Sequence, residues 1–298
     1  MMSIGNIFAI IVTYNPQLDK VKKLALSLKQ QNVNPLIIDN GTLGENDLES
    51  FRNIAHVILL GNNEGIAKAQ NIGIRFAKEN AADGVIFFDQ DSEISDNFVE
   101  SLISDYMSVS KYDNTIGMIG PTFIDSRYKF YYKQILLNRF GVRKKIDPTK
   151  LSTPFKVSII ISSGSFVLMP ILDSVGYMDE RFFIDYVDTE WCFRMLSKGY
   201  SIYVSTSATM EHAIGDKMIN FWGLHIPVHS PVRRYYRIRN AIIFLNYKHI
   251  PLLLKLRDNA MNIIHQSLII INEKDKQENF KIAYKSIIDG LKGKTGKL

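Results

Sequence analysis

The first part of the chain alternates between short apolar runs and stretches with helical spacing. The apolar runs are rich in β-branched residues and end in polar ones; they cover residues 8–13, 35–39, 56–60 and 84–88. Such continuous runs are typical of strands buried on both faces of a parallel sheet. Between them, residues 18–31 and 65–79 carry apolar side chains at helical spacing. The alternation predicts an α/β fold with an open, doubly wound and mostly parallel sheet.

The rest of the chain predicts further strands, an insertion and a helical end. The stretch 126–153 is basic and aromatic without clear periodicity, which indicates an inserted hairpin or a mobile loop. Further strands are predicted at 116–124, at 156–169 with an interruption and a bulge at Ser162-Ser163-Gly164, and at 200–204. Helices are predicted at 189–198, 232–245 and 252–272, with a short one beyond. We therefore predict a main domain at 1–232 and a helical region at 233–298.

Charge is distributed unevenly. The net charge is +6, yet from Arg233 to the end 14 lysines and arginines stand against 5 acidic residues. A basic tail most often forms a solvated surface, and no zinc-finger or RNA-recognition signature accompanies it, so we expect no nucleic-acid partner. The single cysteine, Cys192, excludes an internal disulfide. No apolar run reaches the roughly 18 to 20 residues of a membrane-spanning helix, and no signal segment is visible. We expect a cytoplasmic chain.

An acidic dyad, Asp89-Gln90-Asp91, directly follows the fourth apolar run. Two carboxylates separated by one residue can bind Mg²⁺ or Mn²⁺, which prefer oxygen ligands and keep positions open for phosphate. In isolation such a dyad is more often an acidic loop or a helix cap, since Ser92 and Asp96 lie nearby. Its place at the end of a predicted strand favours the metal site, where a cation would neutralise a departing diphosphate.

Polar residues at the other strand ends predict a pocket in the same place. Asp39 can accept the imino hydrogen of a uracil or thymine ring, and Thr13-Tyr14-Asn15 can line the same pocket; the alternative for Asp39 is a turn residue before Asn40-Gly41. The segment from Asn63 to Gly73 mixes amides with small residues at a predicted helix start, which favours phosphate or sugar oxygens. Small residues also allow a helix to pack closely on a sheet.

A second acidic cluster consists of Asp185, Asp188 and Glu190. A carboxylate beside a reacting hydroxyl can act as general base, whereas the alternative is a helix cap with first-turn acidic residues. Both interpretations hold if Asp188 is the base and Glu190 is a first-turn charge or an acceptor ligand. His212 is a candidate third metal ligand. A lone histidine is more often structural, so this role depends on the dyad.

These motifs resemble those of glycosyltransferase family 2, the inverting enzymes of the GT-A fold. The matching segments are AIIVTYNP (9–16), NEGIAKAQNIG (63–73), FFDQD (87–91), SSGSFVLMP (162–170) and FIDYVDTEWCFR (183–194). Within the family the chain is most similar to the bacterial rhamnosyltransferases, of which IDYVDTEW and RRYYRIRN (233–240) are typical. The resemblance covers roughly residues 5–245. It implies a nucleotide-sugar half at about 1–125 and an acceptor half at about 155–232.

The resemblance also implies roles for individual residues. It assigns the base to Asp188, although many relatives have Glu-Asp where this chain has Val187-Asp188, and Asp185 is the candidate for the missing carboxylate's place. The predicted donor-binding residues are Thr13, Tyr14, Asn15, Asp39, Asn63, Gly65, Asn71, Asp89 and Gln90. The predicted metal ligands are Asp89, Asp91 and His212. The predicted acceptor-binding residues are Ser163, Gly164, Asp185, Glu190 and Trp191.

We therefore expect transfer of L-rhamnose from dTDP-β-L-rhamnose to a hydroxyl of a growing, lipid-linked surface polysaccharide, with inversion and a divalent metal. The first alternative is the same fold with a UDP-hexose or UDP-N-acetylhexosamine donor. A nucleotidyltransferase would normally have a Gly-rich basic loop where this chain has TYNPQLD. A non-catalytic sugar-nucleotide-binding module is disfavoured by the two acidic clusters. The apolar and basic tail predicts either contact with the inner face of the membrane or packing on the catalytic domain or a second subunit, as in a homodimer.

Overall fold

The computed structural model describes residues 4–125, 129–138, 140–212, 217–221, 224–272 and 275–298, without the side chains of 212, 217–221 and 224–228. The strands are β1 (Ile7–Thr13), β2 (Asn34–Asp39), β3 (His56–Leu59), β4 (Gly84–Asp89), β5 (Glu93–Ile94), β6 (Ile116–Asp125), β7 (Gln134–Leu137), β8 (Arg143–Ile146), β9 (Phe155–Val157), β10 (Phe166–Leu168), β11 (Ser201–His212), β12 (Lys217–Phe221) and β13 (Leu224–Val228). The helices are α1 (Leu18–Gln30), α2 (Glu45–Leu48), α3 (Ile66–Glu79), α4 (Phe98–Ser110), α5 (Met169–Val175), α6 (Val187–Ser197), α7 (Pro231–Phe244), α8 (Leu252–Asn272) and α9 (Lys276–Leu291), with 3-10 turns at Glu49–Phe51 and Pro148–Lys150.

The main sheet has the strand order β3-β2-β1-β4-β10-β6-β11-β5, and β9 pairs with β11. The first four strands in this order are parallel to one another, as predicted. Strand β10 runs antiparallel to both of its neighbours, so the whole sheet is mixed. Because parallel strands end at the same edge, Thr13 pairs with Asp39 and Val12 pairs with Asp89. The polar strand ends therefore meet at one edge.

The hydrophobic core lies on both faces of this sheet. Successive side chains of a strand point to opposite faces, so Ile10 packs in the cluster that contains residues of α3, α5 and α6. Its neighbour Ile11 packs in the cluster that contains residues of α1 and α4. Both isoleucines are fully buried. This two-sided burial explains why the first strands are apolar at nearly every position.

The C-terminal helices pack against the main sheet and its helices. Phe244, Tyr247 and Leu254 belong to the same buried cluster as the sheet residues, which supports the predicted packing alternative for the tail. The division at residue 232 stays a prediction. The outer face of α8 carries exposed apolar residues, namely Leu252, Leu253, Leu256, Met261, Ile263, Ile264 and Ile271. Among the described residues, no helix is both long and apolar enough to cross a membrane.

Two sequence-based element predictions need correction, whereas the hairpin predicted within 126–153 is present as β7 and β8. The strand predicted to end at Val204 continues to His212, with a break in register between Val204 and Thr209. The polar residues in this break obscure the apolar pattern. They are held by Asp105 of α4, a helix that the periodicity analysis missed. The predicted strand 156–169 is split into β9 and β10.

We predict that Asp105→Ala destabilises the protein by about 2 to 4 kcal/mol, because it leaves buried donors without partners. The carboxylate accepts hydrogen bonds from the Ser205 hydroxyl at 2.6 Å and from the Thr206 and Ser207 amides at 3.2 Å. Denaturant unfolding measures the loss. The control is Asp96→Ala, at an exposed position. Equal stability of the two variants would contradict the prediction.

Candidate active site

A cavity of about 200 Å³ lies at the carboxyl ends of the parallel strands. It is bounded by the ends of β1 and β4, the start of α3 and the segment before α6. Six of the predicted donor-binding residues line it, namely Thr13, Tyr14, Asn63, Gly65, Asp89 and Gln90. Asn15, Asp39 and Asn71 are not among the lining residues. We refer to this space as the donor cavity, after the predicted donor-binding residues that line it.

Asp39 shapes this cavity from beneath. Its side chain is fully buried, and its Oδ2 accepts the amide hydrogens of Gly41, Thr42 and Leu43 at 2.7 to 3.0 Å. Its Oδ1 accepts the hydroxyl hydrogens of Thr13 at 2.9 Å and Thr42 at 3.0 Å. This geometry matches the turn alternative, since the carboxylate is saturated by its own loop. Contact with a nucleotide base stays a prediction.

Gln90 joins the ends of β1 and β4. Its Oε1 accepts the amide hydrogen of Tyr14 at 2.7 Å, and its Nε2 donates to the Tyr14 carbonyl at 3.1 Å. The backbone turns sharply at Asn15, the residue after Tyr14, which has φ +48°. The Asn15 amide donates to the Thr42 hydroxyl at 2.9 Å. These bonds hold the Tyr14 backbone in place while its ring remains about half exposed.

The start of α3 differs from the prediction that its free amides bind phosphate. The amides of residues 64, 65 and 66 donate to Asn40 Oδ1 at 3.0 Å, Asn63 Oδ1 at 3.0 Å and the Phe183 carbonyl at 2.9 Å, respectively. A phosphate would have to displace these partners. Gly73 fits the alternative interpretation, in which small residues allow the helix to pack closely on the sheet. A Cβ atom at this position would lie 2.6 Å from Ile10.

Asn71 also has a structural role in place of the predicted donor contact. It is buried, and its amide exchanges two hydrogen bonds with the backbone of Met178, at 2.8 and 2.9 Å. It also donates to Glu180 at 2.8 Å. Its hydrogen-bonding groups are therefore committed to the loop between α5 and α6.

The acidic dyad is positioned by two serines. The Ser163 hydroxyl accepts the Asp89 amide hydrogen at 3.1 Å and lies 3.0 Å from the Ser92 hydroxyl. Ser163 is thus buried under the dyad, and Gly164 packs against Pro121, so both support the strand end instead of facing an acceptor. Asp89 borders the donor cavity, and Asp91 is exposed.

The predicted metal set is incomplete within the described part of the chain. The side chain of His212 lies outside the described residues. Among the side chains that are described, no three His, Cys, Asp or Glu groups are gathered in a metal-binding arrangement. Two adjacent carboxylates with open surroundings still suit a hard divalent cation that takes its other ligands from a diphosphate.

The segment from Phe183 to Tyr186, which includes Asp185 of the second acidic cluster, adopts a strained conformation before α6. Asp185 and Tyr186 have φ angles of +60° and +66°, a region that costs non-glycine residues about 1 to 3 kcal/mol each. Asn240 of α7 holds the segment by donating to the Ile184 carbonyl at 2.8 Å and the Asp185 carbonyl at 3.1 Å. The buried Arg239 donates to the Asn240 Oδ1 at 2.8 and 2.9 Å.

Asp188 lies in the first turn of α6, directly after this segment. Burial, together with the negative charge of Asp89, raises the pKa of Asp188 to about 6, although hydrogen bonds from Ser162 oppose the shift. The influence of Asp89 indicates that the two acidic clusters lie close enough to interact. A carboxylate with a raised pKa is a better proton acceptor than an ordinary one.

The other members of the second cluster have different environments. Asp185 faces Arg233, whose Nε lies 3.4 Å from its carboxylate. Glu190 is buried and forms a two-point ion pair with Arg194, at 2.6 and 3.0 Å, and a 2.9 Å contact with His249. Trp191 is buried and donates to the Gly176 carbonyl at 2.7 Å. Both side chains thus have structural roles within the protein, and their contacts with an acceptor stay predictions.

Sequence reasoning missed the function of helix α7. Its RRYYRIRN stretch places Arg233 against Asp185 and stacks Tyr236 on Phe183, with ring centroids 4.9 Å apart. Arg239 and Asn240 brace the strained segment described above. One sequence feature could have indicated this role. Basic and aromatic residues alternate along the helix, and the charged side chains occupy positions that are usually apolar in a protein core. Because these residues are distant in sequence from the acidic cluster, spacing alone did not connect them.

Comparison with known proteins agrees with this fold and identifies the family. Residues 8–176 match the model of glycosyl transferase family 2. The chain is 47% identical over 295 residues to a dTDP-rhamnosyl transferase, RfbF, of Shigella flexneri, covering 98% of this chain and 97% of the relative. A hexosyltransferase of low-salt glycan biosynthesis, Agl10 of Haloferax volcanii, is 22% identical, covering 56% of this chain and 54% of the relative. The chain therefore belongs to glycosyltransferase family 2.

Solved structures share the fold at low sequence identity. GalNAc-T7 with UDP, GalNAc and Mn²⁺ superposes with a TM-score of 0.58 at 13% identity, over 87% of this chain and 55% of that one. S. aureus TarS 1-349 with UDP-GlcNAc gives 0.56 at 15% identity, over 97% and 81%. The chain spans about half the length of the GalNAc-T7 chain. These similarities confirm the GT-A fold that the resemblance implied.

We predict that Gly65→Ala lowers nucleotide affinity by about tenfold or more and also lowers thermal stability. Gly65 has φ +87°, and a Cβ atom would lie 2.6 Å from the Phe183 carbonyl oxygen, so the start of α3 and the cavity wall would have to separate. Calorimetric titration with nucleoside diphosphate measures the affinity.

The matched control is Gly61→Ala. Gly61 has φ +72°, and a Cβ atom there would meet nothing within 4 Å. This variant carries only the backbone penalty, about 1 to 2 kcal/mol. If both variants bind nucleotide equally, Gly65 does not maintain the cavity wall.

Proposed function

We propose that this glycosyltransferase moves L-rhamnose from dTDP-β-L-rhamnose to a hydroxyl of a growing, lipid-linked surface polysaccharide. The observation that carries the proposal is the 47% identity with a dTDP-rhamnosyl transferase over nearly the whole of both chains. Identity at this level across the donor half and the acceptor half supports a common donor. The absence of a spanning helix among the described residues is compatible with work on the cytoplasmic side of a membrane.

The donor cavity supplies contacts for the nucleotide part of the donor. We propose that Thr13, Tyr14, Asn63, Gly65 and Gln90 surround the thymine base and its deoxyribose, because they line the cavity. The cavity is organised before a ligand arrives, since Gln90 and Asp39 fix its backbone by hydrogen bonds. Pre-organisation reduces the ordering cost of binding.

In this proposal, the acidic dyad binds the diphosphate end of the donor through a metal ion. Asp89 and Asp91 would hold Mg²⁺ or Mn²⁺, with the side chain of His212 as the candidate third ligand. When bound, the cation neutralises charge that develops on the departing diphosphate. Ser163 holds the Asp89 amide and so sets the direction of the strand end.

Asp188 is our proposed base. An inverting transfer is a single displacement, so the acceptor oxygen attacks the anomeric carbon from the side opposite the leaving diphosphate and must lose its proton. In the second acidic cluster, Glu190 is committed to Arg194 and His249, and Asp185 is adjacent to Arg233. Asp188 has the raised pKa that suits proton abstraction. Asp185 would then position the acceptor.

The proposed donor is tested by incubating the purified protein and Mg²⁺ or Mn²⁺ with dTDP-rhamnose, UDP-glucose, UDP-galactose and UDP-N-acetylglucosamine. We expect release of nucleoside diphosphate from dTDP-rhamnose alone, and loss of that release in a chelator. Asp91→Asn should remove most activity with unchanged thermal stability, because Asp91 is exposed. Turnover of UDP-sugars without turnover of dTDP-rhamnose would favour the UDP-hexose alternative, and full turnover by Asp91→Asn in a chelator would exclude the metal role.

For the base, we predict that Asp188→Asn lowers kcat by about 100-fold or more while donor affinity and thermal stability are retained. Steady-state kinetics with acceptor and calorimetry with donor measure the two effects. Asp185→Asn should instead raise the KM for the acceptor. Glu190→Gln should lower stability with little effect on kcat, because it weakens the ion pair with Arg194.

Two results would contradict this assignment. If kcat collapses in Asp185→Asn and is nearly normal in Asp188→Asn, the base is Asp185, in the segment before α6. If Asp188→Asn loses thermal stability with kcat intact, Asp188 acts as a helix-terminal charge.

A further inference from the structure

A second cavity, of about 350 Å³, lies on the other side of the strained segment from the donor cavity. Phe183 and Ile184 line the donor cavity, whereas Asp185 and Tyr186 line this second one. Thr189, the neighbour of the proposed base, also lines it. A molecule seated here would therefore approach the reaction centre from the acceptor side.

The walls of this second cavity are rich in arginine. Arg143 from β8, Arg237 from α7 and Arg257 from α8 converge on it, and two carboxylates, Asp185 and Asp258, also face it. We call it the basic cavity. Three elements that are remote in sequence contribute one guanidinium each, so the concentration of charge is a product of the tertiary fold.

The internal ion pairs leave positive charge uncompensated. Arg143 pairs with Asp258 at 2.8 Å, and Arg257 is only within 3.8 Å of the same carboxylate. Asp185 forms an ion pair with Arg233, which does not line the cavity. Within the described part of the chain, the guanidinium of the partly buried Arg237 has no hydrogen bond or ion pair, and the buried Nε of Arg143 has no hydrogen-bond partner. The planar guanidinium groups in this state can each donate more than one hydrogen bond to the oxygens of a phosphate group.

An apolar surface begins at the edge of the basic cavity. Met261 lines the cavity and is about half exposed. The exposed leucines and isoleucines of α8 extend from there along the outer face of the same helix. A ligand that carries phosphate beside a hydrocarbon chain matches both surfaces, whereas free phosphate matches only the arginines.

We propose that the basic cavity binds the phosphate or diphosphate group of a lipid-linked acceptor. This inference rests on the proposed function, because it assigns the acceptor that the transferase would use. Arg237 and Arg257 donate hydrogen bonds to the phosphate oxygens, and the outer face of α8 meets the hydrocarbon chain. Binding of the charged group then directs the acceptor's saccharide toward Asp188.

The test measures binding of farnesyl diphosphate and of inorganic pyrophosphate to the full chain by calorimetry, with saturating dTDP to fill the donor cavity. We expect farnesyl diphosphate to bind more tightly. Arg237→Gln and Arg257→Gln should each weaken its binding by about tenfold. Lys248→Gln is the control, because it removes one positive charge from an exposed position that does not line the cavity. It should leave the affinity unchanged.

Each outcome decides one part of the proposal. Equal binding of the two probes, with both arginine variants weakened, would overturn the lipid-borne source and retain a phosphate subsite. Affinities that the arginine variants leave unchanged would overturn the subsite itself. Hydrolysis of dTDP-rhamnose without acceptor is measured in parallel. If this hydrolysis fails while diphosphate binding is intact, the proposed donor is refuted and the proposal for the basic cavity is not.

Discussion

The active centre depends on the hydrogen bonds that Asn240 donates to the carbonyls of Ile184 and Asp185. These bonds hold two successive non-glycine residues, Asp185 and Tyr186, in the left-handed region, where the backbone would not remain by itself. The strained segment separates the donor cavity from the basic cavity and begins the helix that carries Asp188. The carboxylate of the proposed base is thus placed by a helix more than fifty residues further along the chain.

Polar side chains act on the donor side in the same manner. Asp39 saturates its own loop, Gln90 joins two strand ends, and Ser163 orients the acidic dyad. Asp39 and Ser163 lose hydration on burial, and their hydrogen bonds to backbone amides offset that cost. The result is a cavity whose walls are set before the nucleotide arrives, which is the condition under which binding energy can be directed to the transition state.

The C-terminal helices complete this enzyme and do not form a detached tail. Phe244 and Leu254 share the core of the sheet, while Tyr236 stacks on Phe183 beside the donor cavity. The excess of positive charge in this region is also not uniform. Arg239 and Arg234 are buried in packing contacts, whereas Arg237 and Arg257 face the basic cavity. The arginines of this region therefore have two different roles, which the net charge does not distinguish. Some are buried and support the backbone, and others face a cavity.

The sequence by itself determined the parallel strands, their order of appearance and the dyad at their carboxyl ends, because apolar runs and helical spacing are local patterns and parallel strands end at one edge. Only the tertiary structure decided which polar residues face the crevice. Asn71 bonds to Met178, 107 positions away, and Glu190 and Trp191 turn into the core. The long course of β11 was hidden for the same reason, since its polar break is stabilised by Asp105. Hydrogen-bond partners that are remote in sequence leave no local pattern, so the fold alone assigns these side chains to structure or to chemistry.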